Sequence, residues 1–230
     1  MKKLFTALVA LVLSLSVSAQ FYIYCSNGDV LEVDSISLVK PDNQINNDEY
    51  VDLGLPSGLK WATCNVGATI PEEYGDYFAW GEVEPKTTYN WDTYKYYDDS
   101  NLTKYTSNDS KTVLDPEDDA AHVNWGGAWR MPTYAEFSEL KNNCTWDWTT
   151  QNGVKGYKVT GPNGNSIFLP AAGCVNGGTL NDAGSRGYYW SSPRGTGDPD
   201  YAYNVYFGSD YVNWYYYVRY NGLSVRPVCQ

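Results

Sequence analysis

Beyond Val51, the apolar residues of this chain almost never recur at helical spacing. They come instead in short aromatic and β-branched runs, broken by turns rich in glycine, proline and asparagine. That pattern predicts many short strands and a loop-rich domain. One segment breaks the rule. Thr133 follows Pro132 and precedes Glu136 by three residues, a capping box, and Phe137 and Leu140 then share one face. This predicts a helix ending near Asn142-Asn143. After it, Gly156 to Thr160, the turn Gly161-Pro-Asn-Gly164 and Ser166 to Leu169 read as strand, turn and strand. Asp92 to Asp118 is polar and tyrosine-rich, and reads as a long surface excursion. The expected class is α+β, with short antiparallel strands, one or two helices and long loops.

The first 19 residues form a separate segment. Lys2 and Lys3 precede an apolar run from Leu4 to Leu13, and Ser-Val-Ser-Ala closes the stretch at Ala19. This is the plan of an export signal, with cleavage expected before Gln20. The apolar run is short for a membrane span, and Gln20 stands where a lipoprotein needs cysteine. The expected location is therefore the periplasm, the cell surface or the medium. Residues 20–39 read as a small β-hairpin around Ser26-Asn27-Gly28-Asp29. Residues 40–50 read as a polar linker and 51–230 as the main domain.

Charge and cysteine content narrow the partners. The formal net charge is −11, and loss of Lys2 and Lys3 makes it −13. Nucleic acid and anionic membrane would be repelled, whereas a cationic or neutral partner, such as a glycan or a surface protein, would not. Cys25, Cys64, Cys144, Cys174 and Cys229 are odd in number, so at least one is free or bonded between chains. Most read as small buried hydrophobes, with Cys64–Cys144 as the expected bridge. With one histidine and no Cys-x-x-Cys, no metal site is expected.

Several stretches are specific when taken together. They are Val51-Asp-Leu-Gly-Leu-Pro-Ser-Gly-Leu-Lys-Trp-Ala-Thr-Cys-Asn-Val-Gly-Ala68, Gly75-Asp-Tyr-Phe-Ala-Trp-Gly-Glu82, Trp125-Gly-Gly-Ala-Trp-Arg-Met-Pro-Thr133, Gly161-Pro-Asn-Gly-Asn-Ser-Ile-Phe-Leu-Pro-Ala-Ala-Gly173, Tyr189-Trp-Ser-Ser192 and Ser224-Val-Arg-Pro-Val228. Over residues 50–228 the chain resembles the Fibrobacter succinogenes major paralogous domain family. The Trp-Arg-Met-Pro-Thr stretch is also similar to formylglycine-generating-enzyme-type domains. The resemblance implies a C-type lectin-like fold, in which a strand near Leu59 to Thr63 pairs with one near Leu223 to Val228.

Catalytic patterns are weak. A Ser-His-Asp arrangement would depend on the lone His122, and the carboxylate pairs Glu72-Glu73, Glu82/Glu84 and Glu117-Asp-Asp119 have no distinguishing spacing. Ser191-Ser192 reads as a turn and Trp129-Arg130-Met131-Pro132 as structural. The family's formylglycine chemistry needs a cysteine pair, and Cys229 is expected to lie past the last strand. Glu84-Pro85-Lys86 departs from the sugar-binding calcium motif of animal lectins, so no cofactor is expected. A structural calcium is left open.

The region from Tyr188 to Asn221 is different. It holds ten of the 22 tyrosines, with Trp190 and Trp214 and many Asn, Asp, Ser and Gly residues. Such a mixture suits adaptable recognition, because tyrosine offers rigid area with a polar tip. Tyr215, Tyr216 and Tyr217 cannot all be core, since neighbours in a strand face opposite sides. The expected ligand contacts are Tyr206, Asp210, Tyr211, Tyr215, Tyr216, Tyr217, Val218, Tyr220 and Asn221, with Trp190, Trp214, Arg219 and Gly222 as framework. The segment also resembles the variable stretch of proteins diversified by retroelements. A binding protein for a glycan or surface protein is the expected function. A polysaccharide-acting enzyme or an envelope assembly component is the alternative.

Overall fold

Short strands joined by tight turns can satisfy their main chains only in small sheets, and that is how this chain is built. The computed structural model describes residues 21–24, 30–33 and 50–230. The chain divides into two units, 1–42 and 43–230. In the first, β1 (Phe21–Tyr24) and β2 (Val30–Val33) pair antiparallel, with Tyr24 opposite Val30. The expected export signal, the rest of the expected hairpin and the expected linker up to residue 49 lie outside the described residues.

In the second unit, β3 (Tyr50–Asp52) and β4 (Lys60–Ala62) form a sheet with β15 (Val228–Cys229), with Val228 opposite Trp61. The expected pairing of the stretch near residues 59–63 with the end of the unit is therefore formed, with β3 on the other side of β4. Cys229 lies within that last strand, not beyond it. Two miniature ladders follow, β5 (Tyr97–Asp98) with β6 (Asn101–Leu102) and β10 (Cys174–Asn176) with β11 (Thr179–Asn181). A meander of β7 (Thr145–Gln151), β8 (Val154–Thr160) and β9 (Ser166–Pro170) turns at Asn152-Gly153. Both turn residues have positive φ, 48° and 86°, as a two-residue hairpin loop requires. A second meander comprises β12 (Gly187–Arg194), β13 (Tyr201–Gly208) and β14 (Tyr211–Val218), in that order.

Helix is scarce. Helix α1 (Ala120–Trp125) is a single capped segment, its N-terminus held by the Asp119 carboxylate. Helix α2 (Tyr134–Asn143) is the expected one. Thr133 accepts from the Glu136 amide at 3.2 Å, and Glu136 accepts from the Thr133 amide at 2.7 Å. Among the described residues, 12% are helical and 39% lie in strands, so the described structure is mainly β. This overturns the expected α+β, C-type lectin-like class. Two short helices cannot make a layer of their own, and the sheets pack largely on one another.

The second meander separates two apolar cores by simple alternation. Trp190 and Ala202 enter one, with Trp80, Tyr94, Tyr105 and Leu223. Tyr189, Val205 and Phe207 enter the other, with Trp61, Phe137, Leu140 and Tyr157. The stretch 92–118 is largely exposed, as expected of a surface excursion, but Tyr94, Tyr96 and Tyr105 anchor it in the first core. Two further expectations are corrected here. Ser191 and Ser192 are not a turn but buried residues of β12, and Ser191 Oγ donates to the Tyr203 carbonyl at 2.9 Å. Cys64 and Cys144 are both free thiols. Cys144 sits at the end of α2 against the second core, and burial pushes its pKa up to about 11.

Irregular backbone leaves inward carbonyls in need of donors, and two buried arginines supply them. Arg226 donates to the carbonyls of Ala62 (2.9 Å), Thr63 (2.7 Å) and Phe168 (2.9 Å) and to Asn65 Oδ1 (2.9 Å). Arg219 donates to the carbonyls of Lys104, Tyr105 and Pro199 and to Tyr94 Oη. Its guanidinium also lies 4.7 Å from the Trp80 ring centre, a cation–π contact. Replacing Arg226 with methionine keeps apolar bulk but orphans three main-chain acceptors. Arg226→Met is expected to lower unfolding free energy by about 3 kcal/mol, read from urea denaturation. A loss below about 1 kcal/mol would show that the clamp is dispensable.

Candidate functional site

Strand β14 forms the outer edge of its sheet. The far side of β12 is occupied, bridging to Ser224 through Tyr189 and to Val113 through Pro193. A two-residue turn, Ser209-Asp210, sets the β13–β14 register, with Tyr203 opposite Tyr216 and Asn204 opposite Tyr215. Alternation then sends Tyr211, Asn213, Tyr215 and Tyr217 to one face and Val212, Trp214, Tyr216 and Val218 to the other.

On the first face, Tyr206 anchors a row of rings. Tyr188 lies 4.9 Å from it, Tyr211 5.0 Å and Tyr215 6.4 Å. Tyr211 donates its hydroxyl hydrogen to Tyr206 Oη, and burial together with that bond pushes the Tyr211 pKa up to about 12. Tyr217 is half-buried, 5.6 Å from Tyr188 and with its hydroxyl 3.7 Å from Cys174 Sγ. On the second face, Tyr216 lies 4.6 Å from Tyr203. Trp214 packs 4.3 Å from Tyr134 and 5.9 Å from Phe137. The Tyr216 hydroxyl shares a hydrogen bond with Tyr203, which raises its pKa. The Tyr211 and Tyr216 phenols therefore stay neutral at ordinary pH.

Two open depressions flank the edge. One, of about 500 Å³, is lined by Tyr134, Tyr203, Trp214, Tyr215 and Tyr216. The other, of about 430 Å³, is lined by Thr196, Asp198, Tyr201, Tyr215 and Tyr216, together with glycines of the 195–197 loop. Tyr215 and Tyr216 are 58% and 46% exposed, so the rings shared by both depressions are also the most solvent-facing of the strand.

The nine expected contacts divide accordingly. Tyr206, Tyr211, Tyr215 and Tyr217 share one face. Tyr216 and Val218 occupy the other, and Asp210 is exposed in the turn. Tyr220 turns away to pack 5.0 Å from Trp91. Asn221 is corrected from contact to framework. It is buried, accepts from Asn176 Nδ2 at 2.6 Å and donates to the Val218 carbonyl at 3.0 Å. Trp190 and Arg219 are framework as expected, whereas Trp214 lines a depression. Tyr134 and the 195–198 loop were missed. Tyr134 is the first residue of α2, and its meeting with β14 is a tertiary fact that no local signal marks.

Two other polar clusters are already committed. His122 borders a depression of about 260 Å³ with Asp119, Arg130, Thr133 and Ser192. Its Nδ1 pairs with the Trp129 carbonyl at 3.2 Å, and Arg130 pairs with Glu136. Asp119 accepts from the amides of Ala121, His122 and Met131. The carboxylates of Asp115, Glu117 and Asp118 converge within 4.8 Å of one another. The Lys104 ammonium sits among them, 2.7, 3.5 and 2.5 Å from the three.

The arrangement defines a class: a β-rich protein whose open sheet edge carries a neutral aromatic surface. A family model described as a domain of unknown function (DUF8237) matches residues 146–228, a span that contains the whole β12–β14 sheet. No curated protein and no solved structure matches the chain.

Asp118 supplies a pH test. Burial opposes its ionisation, but hydrogen bonds from Lys104, Tyr96, Tyr105 and Lys95 prevail and hold its pKa at about 2. A depressed carboxylate stabilises the fold above its unfolded pKa of about 3.9 and loses that contribution as pH falls through the folded value. The expected loss is about 2 kcal/mol between about pH 4 and pH 2. Denaturation curves of Asp118→Asn should be flatter across that window, and an unchanged slope would refute the assignment.

Proposed function

We propose that this is an exported binding protein that presents the β14 edge and its flanking tyrosines to a glycan or a protein on another surface. The observation that carries this reading is the pair of exposed rings, Tyr215 and Tyr216, flanked by two open aromatic depressions. Burying large apolar rings is the usual economy of a strand, and leaving two adjacent ones in water has a cost that binding recovers. The neighbouring groups suit adaptable recognition, since phenol hydroxyls, Asn213 and the 195–198 loop supply hydrogen bonds around rigid rings. Export is supported by the leader-like composition of residues 1–19. Among the described residues, no helix is long and apolar enough to cross a membrane.

The test is a glycan and surface-protein array probed with wild type and with Tyr215→Ala/Tyr216→Ala. Both side chains are exposed, so the double variant should keep its stability within about 1 kcal/mol and lose about tenfold or more in affinity for any specific ligand. Undiminished binding would remove the surface from consideration. The retroelement reading makes a separate prediction. A reverse-transcriptase gene and an adenine-rich template repeat are expected beside this gene, and a neighbourhood lacking both would end it.

A further inference from the structure

We propose that the open edge of β14 captures an extended, basic polypeptide segment, which joins the sheet as a fourth strand. This rests on the preceding reading that the tyrosine surface is the binding surface, and it adds the class of partner.

The first argument is the direction of the main chain. The Arg219 amide donates to the Asp200 carbonyl at 3.0 Å, inward across the ladder. Antiparallel pairing alternates, so Tyr211, Asn213, Tyr215 and Tyr217 also bond inward, while Val212, Trp214, Tyr216 and Val218 turn their amides and carbonyls outward. At one end the edge is closed, because the Val218 carbonyl accepts from both the amide and the side chain of Asn221 at 3.0 Å. From Val212 to Tyr216 no partner bonds the outward groups among the described residues. Such a row is a template for another strand.

The second argument is the placement of the depressions. Both are bounded by Tyr215 and Tyr216 and open on the face of Tyr203 and Tyr216, since Tyr201 stands opposite Val218 and the Thr196 hydroxyl lies 3.2 Å from that of Tyr203. They follow one another along the β14 edge. A strand seated on β14 would send every second side chain to that face. Main-chain bonds would then supply affinity and the two depressions selectivity, which is the logic of strand addition. A glycan would use the rings but has no reason to match the spacing of alternate amides along a strand.

The third argument is charge. Among the described residues, Asp198 is the one charged residue lining either depression. Its field extends to Asp200, whose carboxyl is raised first by burial and then by Asp198. The whole chain carries −11. Tyrosine and tryptophan faces attract lysine and arginine, and the net field draws cationic segments toward the edge. The same charge opposes the obvious competitor, the β14 edge of a second copy.

The experiment titrates the full chain with three soluble octapeptides by calorimetry at low salt. They are alternating Lys-Thr, alternating Glu-Thr, and Lys-Thr N-methylated at every second amide, the last prepared in both frames. The lysine peptide should bind about tenfold or more tightly than the glutamate peptide, and at least one methylated frame should weaken it about tenfold. Tyr216→Pro removes one outward amide while sparing the β13 ladder, so it should bind about tenfold more weakly than Tyr216→Ala. Should the proline variant fail to fold, the methylated peptides decide alone. Equal binding of lysine and glutamate peptides, indifference to methylation in both frames, or no peptide binding overturns the proposal. An array glycan that binds and depends on Tyr215 and Tyr216, with no peptide binding, leaves the surface reading standing and removes only the strand. If nothing depends on those two tyrosines, both fall.

Discussion

A chain in which much of the main chain lies outside long strands and helices must find donors for its inward carbonyls, and here the guanidinium groups of Arg226 and Arg219 are those donors. Arg226 ties the end of β4 to β9, bonding Ala62, Thr63 and Phe168 from one planar fork. Arg219 ties the 94–105 stretch to the loop before β13, through Tyr94, Lys104, Tyr105 and Pro199. Neither group meets a buried carboxylate among these contacts. Their charge is spread over carbonyl dipoles and, for Arg219, over aromatic faces. Arginine suits this role because its charge is delocalised and its donors diverge in a fixed plane. A lysine could reach one or two of these carbonyls but not segments on different sides.

That dependence explains what was legible in the sequence. Local chemistry was readable. The Thr133–Glu136 capping box, the turn Gly161-Pro-Asn-Gly164 between β8 and β9 and the pairing of 60–62 with 228–229 all appear in the structure. What failed depended on distant partners. Asp92 to Asp118 is largely exposed, as its polar composition suggests, but its anchors could not be read locally. Asp118 is buried and takes the hydroxyls of Tyr96 and Tyr105, so those tyrosines are free to enter the core. Asn221 looked like one more interchangeable polar residue, yet it closes the turn after β14. The overall class was misjudged for a related reason. The class rested on one well-capped helix and on a resemblance, whereas the described helices are short and lie against the strands, α2 packing on β12, β13 and Trp61.

The candidate site has the same history. Consecutive tyrosines 215–217 forced at least one ring outward on strand geometry alone, and the sequence could say that much. It could not say that two rings would be outward, because the burial of Tyr217 depends on Tyr188 and Cys174 from other strands. Nor could it place Tyr134 beside Trp214. The edge position of β14, which leaves alternate amides unpaired, is set by strand order rather than by any local signal.

The ammonium of Lys104 has a wider consequence. Converging carboxylates on a surface loop commonly gain order by recruiting a divalent ion from solution, which links folding to the ion's supply. Here the counter-charge is covalently part of the chain, and it arrives with the 94–105 stretch that Arg219 already holds. This corner of the molecule thus carries its own cation. Its counter-charge therefore follows the folding of the chain rather than the supply of an ion.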